Sequence, residues 1–482
     1  MSLFSDRWKA FAPIAVAVAV AGILLSSLVI DLTPRFHFGD SGVFILAGHG
    51  DFIPDNRSWT YGFALGSLLR ATGWIVSLPL AQIVLSWAAF GLFAGSVARS
   101  LGLRWSAPLI VLAGACEPLS YYWSRSFMAD SPAQSFFVLF CAALVAPLPL
   151  GFQVPLLLVI GCVLISLRVV YFPAVAIALV LTALWHIATA GQARGTCVVG
   201  RGDSTTGRWL AAAAAIVAAN LIYAGLNTYE THGRVFSTNI GDMEFMVSAF
   251  SPLMADELDK TPLTASERAS LVPLTYRNRV PAMFASNGIV ATIGRHFSSD
   301  ETARPALRRL LLESIRDHPL EAAGLVLRQW SDYLNPMLVL DAHRKGWLSG
   351  AVAASPHDTR MILPRAVIRD FADWKIRTAP DMVTRASPAL WYFERVGGFW
   401  ALGLAWYATF AFVPVFMAAR KKRSPFLVFA GCFAFLYMAT VACGANQTVT
   451  RYLLPLDVPL FYTVAVFAKQ WSWRRAVPRT VN

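Results

Sequence analysis

Seven ionisable residues of the chain stand at or near the ends of long apolar stretches, and their types could support chemistry. A carboxylate can accept a proton from a hydroxyl group within hydrogen-bonding distance. An arginine can hold a phosphate with two parallel N–H donors and keeps its charge at a membrane edge. Such groups are costly near a membrane and are therefore candidates for function. The seven residues are Asp40, Glu117, Arg125, Asp130, Arg168, Arg451 and Asp457.

The apolar stretches that must position these residues dominate the composition. Of the 482 residues, 56% are hydrophobic and 14% are charged, whereas a soluble domain has about 25% charged residues. Ten stretches approach the roughly 20 residues that a spanning helix needs. The sequence therefore predicts an all-helical polytopic membrane protein, in which region 132–190 fits two spans as well as three. The ten predicted spans are 11–30, 74–98, 107–122, 132–150, 152–167, 169–190, 209–227, 396–419, 425–443 and 452–468.

The distribution of charge predicts an orientation for these spans. With the N-terminus in the cytoplasm, the inside segments hold fifteen Lys and Arg against two acidic residues, whereas the outside loop 31–73 holds three basic and four acidic residues. This positive-inside pattern requires an even number of spans. It predicts that both termini are cytoplasmic and that the net charge of +13 reports topology rather than nucleic-acid binding. The inside segments are 1–10, 99–106, 191–208, 420–424 and 469–482.

A long polar section, 228–395, falls outside in this topology and carries nearly equal numbers of basic and acidic residues. Within it, 301–334 reads as two amphipathic helices, and 364–377 is a third candidate. Pro319 suits the first position of the second helix, with Glu321 in the first turn. We therefore expect a helical cap that divides the membrane domain into 1–227, with its first outer loop, and 396–482. The predicted apolar stripes are Leu307, Leu310, Leu311 and Ile315, then Leu320, Leu327, Trp330 and Leu334.

The seven ionisable residues all fall at or near the predicted outer face. This distribution favours a cleft beneath the cap over a channel through the middle of the membrane. A structural role as interhelical ion pairs remains open for the group, and it is favoured for Glu117 and Asp457 individually. The six cysteines lie in spans or in the loop 191–208. Neither a disulfide framework nor a structural zinc site is therefore expected.

Several segments, taken in order, resemble the GT-C superfamily of integral-membrane glycosyltransferases. The segments are an acid after the first span, "SRSFMADSPAQSFFVLF", "ISLRVVYFP", "SIRDHPLEAAGLVLRQW" and "TRYLLPLDVPLF". The resemblance runs from about residue 31 to 468 and rests on their order, since no single motif is specific. The family uses polyprenyl-phosphate sugars and includes protein mannosyltransferases and the aminoarabinose transferase of lipid A. The chain departs from the family's common acidic pair, because Ser41 follows Asp40, and from its usual Lys-Pro, in place of which it has "NRSWTYGFAL".

The resemblance implies a role for each candidate residue. Asp40 is the expected base that takes the acceptor's hydroxyl proton, and Asp130 is expected to support the acceptor or a cation. Arg168 and Arg451 are the first candidates for ligands of the donor phosphate, and Arg57 and Arg125 are the second. Candidates for the acceptor site are His49, Asp51 and Asp55, although a turn rich in Asp, Asn, Gly and Pro favours such residues for backbone reasons alone. No cofactor is certain; a divalent cation is compatible with the family.

The expected partners are a polyprenyl-phosphate-sugar donor, membrane lipids and a glycan, lipid or protein acceptor, and the preferred location is a bacterial plasma membrane. Two other classes stay open. A secondary transporter or lipid flippase would place its charges near the midplane and usually show paired repeats. A non-catalytic subunit of envelope assembly would tolerate the loss of Asp40.

Overall fold

The computed structural model of the chain describes residues 34, 40–50, 53–54, 58–103, 106–193, 203–232, 246–247, 249–261, 263–271, 287–296, 300–349, 392–422, 424–444 and 448–476. Within these ranges the fold is helical, without a β-strand, which confirms the predicted all-helical class. The predicted span 11–30 and the candidate helix 364–377 lie outside the described residues.

The α-helices are numbered in chain order. They are α1 (Asp40–Gly48), α2 (Trp59–Thr72), α3 (Ser77–Leu101), α4 (Ser106–Ala115), α5 (Pro118–Ser124), α6 (Asp130–Val145), α7 (Leu150–Leu167), α8 (Tyr171–Ala193), α9 (Asp203–Glu230), α10 (Ala265–Ser270), α11 (Ile289–His296), α12 (Asp300–Asp317), α13 (Pro319–Leu334), α14 (Pro336–Ser349), α15 (Gly397–Phe410), α16 (Phe412–Lys422), α17 (Pro425–Gly444) and α18 (Asp457–Ala476). A 3₁₀ turn at Thr450–Leu456, called the 450–456 segment, precedes α18.

Among the described residues, six helical stretches are long and apolar enough to cross a membrane. They lie in α3, α7, α8, α9 and α17 and in the 450–456 segment with α18. Helices α15 and α16 would make a seventh span, bent by 54° at their junction. The chain is therefore compatible with a multi-pass membrane protein. Many side chains of these helices face outward, as lipid-facing surfaces do.

Two of the predicted spans form shorter helices. The stretch 107–122 is interrupted at Glu117, whose carboxylate accepts the backbone N–H groups of Leu119 and Ser120. This N-cap, with Pro118 at the first helical position, begins a separate helix, α5. The stretch 132–150 becomes α6, which has 16 residues and ends at Val145.

The polar ends of the helices gather at two opposite ends of the bundle. The end predicted to be extracytoplasmic, called the outer end, contains the starts of α2 and α6 and the ends of α7 and α9. The other end contains the segments predicted to be cytoplasmic. The contacts are Ser58 with Ser166 and Trp59 with Asn227 at the outer end, and Lys469 with Leu101 and His186 with Thr206 at the other. The side of the membrane on which each end lies stays a prediction.

The two helices of the outer section that the sequence predicted are present as α12 and α13, with Pro319 in the first turn of α13. The stripe on α12 is confirmed, since Leu307, Leu310 and Leu311 are buried in a small second core. The stripe on α13 is partly wrong. Leu320 and Leu327 are 83% and 66% exposed, because α13 packs through a face that combines Trp330 of the predicted stripe with Ala322, Gln329 and Tyr333.

Helix α1 packs against α2 through glycines. A Cβ atom at Gly66 would lie 2.4 Å from the Gly48 carbonyl oxygen, and one at Gly62 would lie 2.6 Å from the Ala47 Cβ atom. Gly62 and Gly66 are four residues apart and therefore lie on one face of α2, where the absence of side chains lets the two backbones approach closely. These glycines therefore set the position of α1, which begins at Asp40.

We expect Gly66→Leu to destabilise the protein, because the new side chain must push α1 away from α2. Such overpacking costs about 1–3 kcal/mol, which lowers the melting temperature by several degrees. The control is Gly95→Leu on α3, where a Cβ atom would meet nothing within 4 Å. Melting is measured in detergent by loss of the monodisperse chromatographic peak. Equal melting temperatures for the two variants would contradict the packing described.

Candidate functional site

Three residues that are distant in sequence meet at the outer end of the bundle: Asp130, Arg168 and Arg451, called the arginine–carboxylate cluster. Asp130 is the first residue of α6, and Arg168 directly follows α7 in an extended conformation. Arg451 lies at the start of the 450–456 segment. Three helix ends thus bring one carboxylate and two guanidinium groups together.

The Asp130 carboxylate lies between the two arginines. The distance from Arg168 Nη2 to Asp130 Oδ2 is 2.6 Å, and that from Arg451 Nε to Asp130 Oδ1 is 4.0 Å. Burial alone would lower the pKa of Arg168, but the neighbouring carboxylate offsets this effect and the pKa is raised. Arginine stays protonated in proteins, so two guanidinium groups meet a single carboxyl group here.

The cluster is open enough to meet a ligand. The side chains of Arg168 and Arg451 are 23% and 13% exposed, whereas that of Asp130 is 7% exposed. Among the described residues, Arg168 Nε has no hydrogen-bond acceptor although it is shielded from solvent. An N–H donor of this kind needs an acceptor oxygen. An anionic ligand with several oxygens would supply one.

Aromatic rings surround Arg451. Its guanidinium carbon lies 5.8 Å from the centre of the Trp123 ring and 5.2 Å from that of Tyr452. Trp123 belongs to α5, so this contact joins the cluster to another helix. Cation–π contacts favour the charged guanidinium and restrict its orientation. Arg451 is thus fixed by its surroundings as well as by Asp130.

The start of α1 lies beside the cluster. Ser41 Oγ donates a hydrogen bond to the Phe127 carbonyl at 3.1 Å, and Phe127 precedes Asp130 by three residues. The same helix is also held through Phe44, whose ring packs edge-to-face against that of Tyr61 with the ring centres 4.8 Å apart. The backbone of Asp40 therefore lies near the segment that leads into Asp130. The side chain of Asp40 lies outside the described residues.

The other predicted site residues do not all join this group. His49 follows the far end of α1, which places it about 13 Å along the helix axis from Asp40. Arg125 is fully buried, which leaves no surface for a ligand in this conformation. Arg57, Asp51 and Asp55 lie outside the described residues. The described residues contain no group of three or more His, Cys, Asp or Glu side chains that could hold a metal ion.

Glu117 and Asp457 lie in a second, fully buried layer together with Gln134. The sequence had not indicated a role for Gln134. Gln134 Nε2 donates to Asp457 Oδ2 at 2.9 Å, and Trp400 Nε1 donates to Asp457 Oδ1 at 3.0 Å. Ser120 Oγ donates to Gln134 Oε1 at 2.7 Å, which extends the network to the helix that Glu117 caps. These hydrogen bonds give both acids a structural role. Their burial leaves them no direct access to a ligand in this conformation.

Two buried side chains of the outer section hold the residues immediately before Arg451. The Val449 N–H donates to Tyr333 Oη at 3.1 Å, and His343 Nδ1 lies 3.5 Å from Thr450 Oγ1. Tyr333 is fully buried, and His343 is 4% exposed. The sequence placed Tyr333 and His343 in a cap without any link to the site. No spacing pattern in the sequence could have indicated this link, because it joins helices that are distant along the chain.

Comparisons of the chain with protein-family models, with curated proteins and with solved structures give no match.

We expect Tyr333→Phe to loosen the backbone before Arg451, because the Val449 N–H loses its buried acceptor. A lost hydrogen bond of about 1 kcal/mol corresponds to about fivefold faster amide exchange. Hydrogen exchange of a peptide covering 448–456, measured by mass spectrometry in nanodiscs, checks this. The control is Tyr407→Phe, which removes another buried hydroxyl, bonded to Thr463 at 2.9 Å. Unchanged exchange in Tyr333→Phe, or equal acceleration in both variants, would refute the link.

Proposed function

We propose that the protein is a GT-C-like glycosyltransferase that moves a sugar from a polyprenyl-phosphate donor to an acceptor on the extracytoplasmic face of a membrane. The observation that carries the proposal is the convergence of Arg168 and Arg451 on the single carboxylate of Asp130 at one end of an apolar helical bundle. The order of the sequence segments supports the family assignment. In this proposal the fold comprises ten spans with an extracytoplasmic helical cap, 228–395.

The charge of the cluster suits a lipid phosphate. Two arginines against one carboxylate leave a net positive charge, which attracts an anion and resists neutralisation near the bilayer, since arginine stays protonated. When the sugar leaves, negative charge builds up on the lipid phosphate, and preorganised N–H donors stabilise it. Arg168 Nε, which has no acceptor among the described residues, is suited to bind one phosphate oxygen.

Asp130 and Asp40 have different roles in the proposal. Asp130 orients the arginines, because its carboxylate is already bound to Arg168 at 2.6 Å. Asp40, at the start of α1, acts as the general base for the acceptor hydroxyl group. The link between Ser41 and Phe127 supports this assignment, since it holds the Asp40 backbone near the cluster.

One observation favours a transporter as the second candidate. Helices α15 and α16 form a span that is bent by 54°, and broken spans are common at transporter binding sites. However, the arginine–carboxylate cluster lies at the ends of its helices rather than at their middle. The transferase therefore remains the better-supported function, and an assay of chemical transfer separates the two classes.

We expect Arg168→Lys and Arg451→Lys each to reduce transfer by about tenfold or more, because Lys keeps the charge and loses the planar pair of donors. Transfer is measured with purified protein and a radiolabelled polyprenyl-phosphate sugar. The matched control is Arg70→Lys, an arginine of the same end whose Nη1 donates to the Gly48 carbonyl at 2.6 Å. Normal turnover in both cluster variants would show that these arginines are structural.

We expect Asp40→Asn to fold and bind donor yet lose transfer by about a hundredfold or more, as removal of a general base does. The neighbouring variant Ser41→Ala keeps the proposed base and removes the hydrogen bond to Phe127 that holds the Asp40 backbone near the cluster, so we expect it to lose less transfer than Asp40→Asn. Turnover by Asp40→Asn at the wild-type rate would end the candidacy of Asp40. If wild-type protein also transfers no sugar from any polyprenyl-phosphate donor, the transferase proposal fails as a whole.

A further inference from the structure

Tyr171 and Tyr437, called the tyrosine pair, lie on different candidate spans and pack against each other. Tyr171 is the first residue of α8, and Tyr437 lies in α17, with their ring centres 5.5 Å apart. They are 3% and 2% exposed. The ring centre of Phe137 on α6 lies 5.3 Å from that of Tyr171, and the ring centre of Phe433 lies 5.4 Å from that of Tyr437. Three helices therefore fix the position of the pair.

The hydroxyl groups of the tyrosine pair have no hydrogen-bond partner among the described residues. Two other buried tyrosines do have one: Tyr407 Oη lies 2.9 Å from Thr463 Oγ1, and Tyr462 Oη lies 3.1 Å from Ser424 Oγ. Buried polar groups are in general hydrogen-bonded, and phenylalanine would fill the same space without a polar atom. The two hydroxyl groups therefore need a partner that the described part of the chain does not supply.

The tyrosine pair lies on the inner side of the arginine–carboxylate cluster, away from the outer end of the bundle. Phe137, which packs on Tyr171, lies seven residues, or about 10 Å along the axis, after Asp130 at the start of α6. Tyr437 lies seven residues, or about 10 Å along the axis, before Gly444 at the end of α17. Both ends belong to the outer end of the bundle, so the two rings are deeper than Asp130.

The hydroxyl groups of the tyrosine pair face the cluster. Tyr171 follows Arg168 by three residues, and its N–H donates to the Arg168 carbonyl oxygen at 3.4 Å. The charges of Asp130 and Arg168 act on both hydroxyl groups, whereas the rings rest on the phenylalanines deeper in the bundle. Two neutral hydrogen-bond donors therefore lie at the inner boundary of the cluster.

We propose that Tyr171 and Tyr437 bind oxygen atoms of the same phosphate group as Arg168 and Arg451, and that they form the inner side of its site. The inference rests on the proposed function, which makes the ligand a prenyl phosphate. The arginines approach this group from the outer end, and the tyrosines approach it from within the bundle. Neutral donors suit the inner position, because a further charge at this depth would cost more to bury.

One substitution should have opposite effects on stability and on binding. Replacing Tyr171 or Tyr437 with Phe removes a buried hydroxyl group that has no hydrogen-bond partner among the described residues, so we expect the melting temperature of the unliganded protein to stay the same or rise. The loss of one hydrogen bond to the phosphate should weaken binding about fivefold, which corresponds to about 1 kcal/mol. A hydroxyl group with a purely structural role would give the reverse pattern.

The test compares the dissociation constants and melting temperatures of Tyr171→Phe and Tyr437→Phe with those of the wild type, all purified in detergent. The probe is farnesyl phosphate, and farnesol is the reference that reports binding of the apolar chain alone. Affinity is measured by isothermal titration calorimetry. The matched control is Tyr462→Phe, whose hydroxyl group is bonded to Ser424 at the opposite end of the bundle. We expect the control to lower the melting temperature and to leave the dissociation constant unchanged.

The possible results separate the inference from the proposed function. A wild-type dissociation constant in both Tyr171→Phe and Tyr437→Phe would overturn the inference and leave the proposed function intact. A fall in their melting temperature equal to that of Tyr462→Phe would overturn it as well, because the hydroxyl groups would then make structural hydrogen bonds. If the wild-type protein binds farnesyl phosphate no more tightly than farnesol, the proposed donor site fails and the inference fails with it.

Discussion

The Asp130 carboxylate holds together three parts of the chain that are remote in sequence. It anchors the start of α6, the end of α7 through Arg168, and the 450–456 segment through Arg451. Without this carboxylate, two neighbouring guanidinium groups would repel each other with little solvent to screen them. One helical turn further along α6, Gln134 repeats the arrangement with uncharged donors and binds Asp457. The start of α6 therefore organises the outer end of the bundle at two successive levels.

Hydropathy and charge predicted much of the fold, because the cost of placing charges in lipid separates long apolar stretches from charged segments in the sequence. The helical class and the candidate spans at α3, α7, α8, α9 and α17 follow from this separation. Periodicity failed on α13, where Leu320 and Leu327 face outward. An apolar stripe shows which face avoids water, but it does not distinguish a protein neighbour from a lipid neighbour. Helix α14 was missed because its mixed composition has no clear period.

The charged residues of the candidate site were predictable from the sequence, whereas the residues that hold them in place were not. Asp130, Arg168 and Arg451 stood out because each is ionisable at a span end. Tyr333 and Gln134 did not, because hydrogen bonds between distant helices leave no pattern of spacing in a sequence. Arg125 was also a candidate by its type and position, and the fold buries it completely, which residue type alone does not indicate.

The contact between His343 and Gly397 has a topological consequence. Helix α14 ends shortly after His343, and Tyr392 lies five residues before Gly397, with its hydroxyl group bonded to the Cys116 carbonyl. The described residues on either side of positions 350–391 therefore lie close together. The entropic cost of joining two nearby points by a chain segment grows only slowly with the length of that segment. Insertions, deletions or exchanged modules between these two anchor points would leave the helical framework in register, which makes this the place where the chain can diversify without rebuilding its bundle.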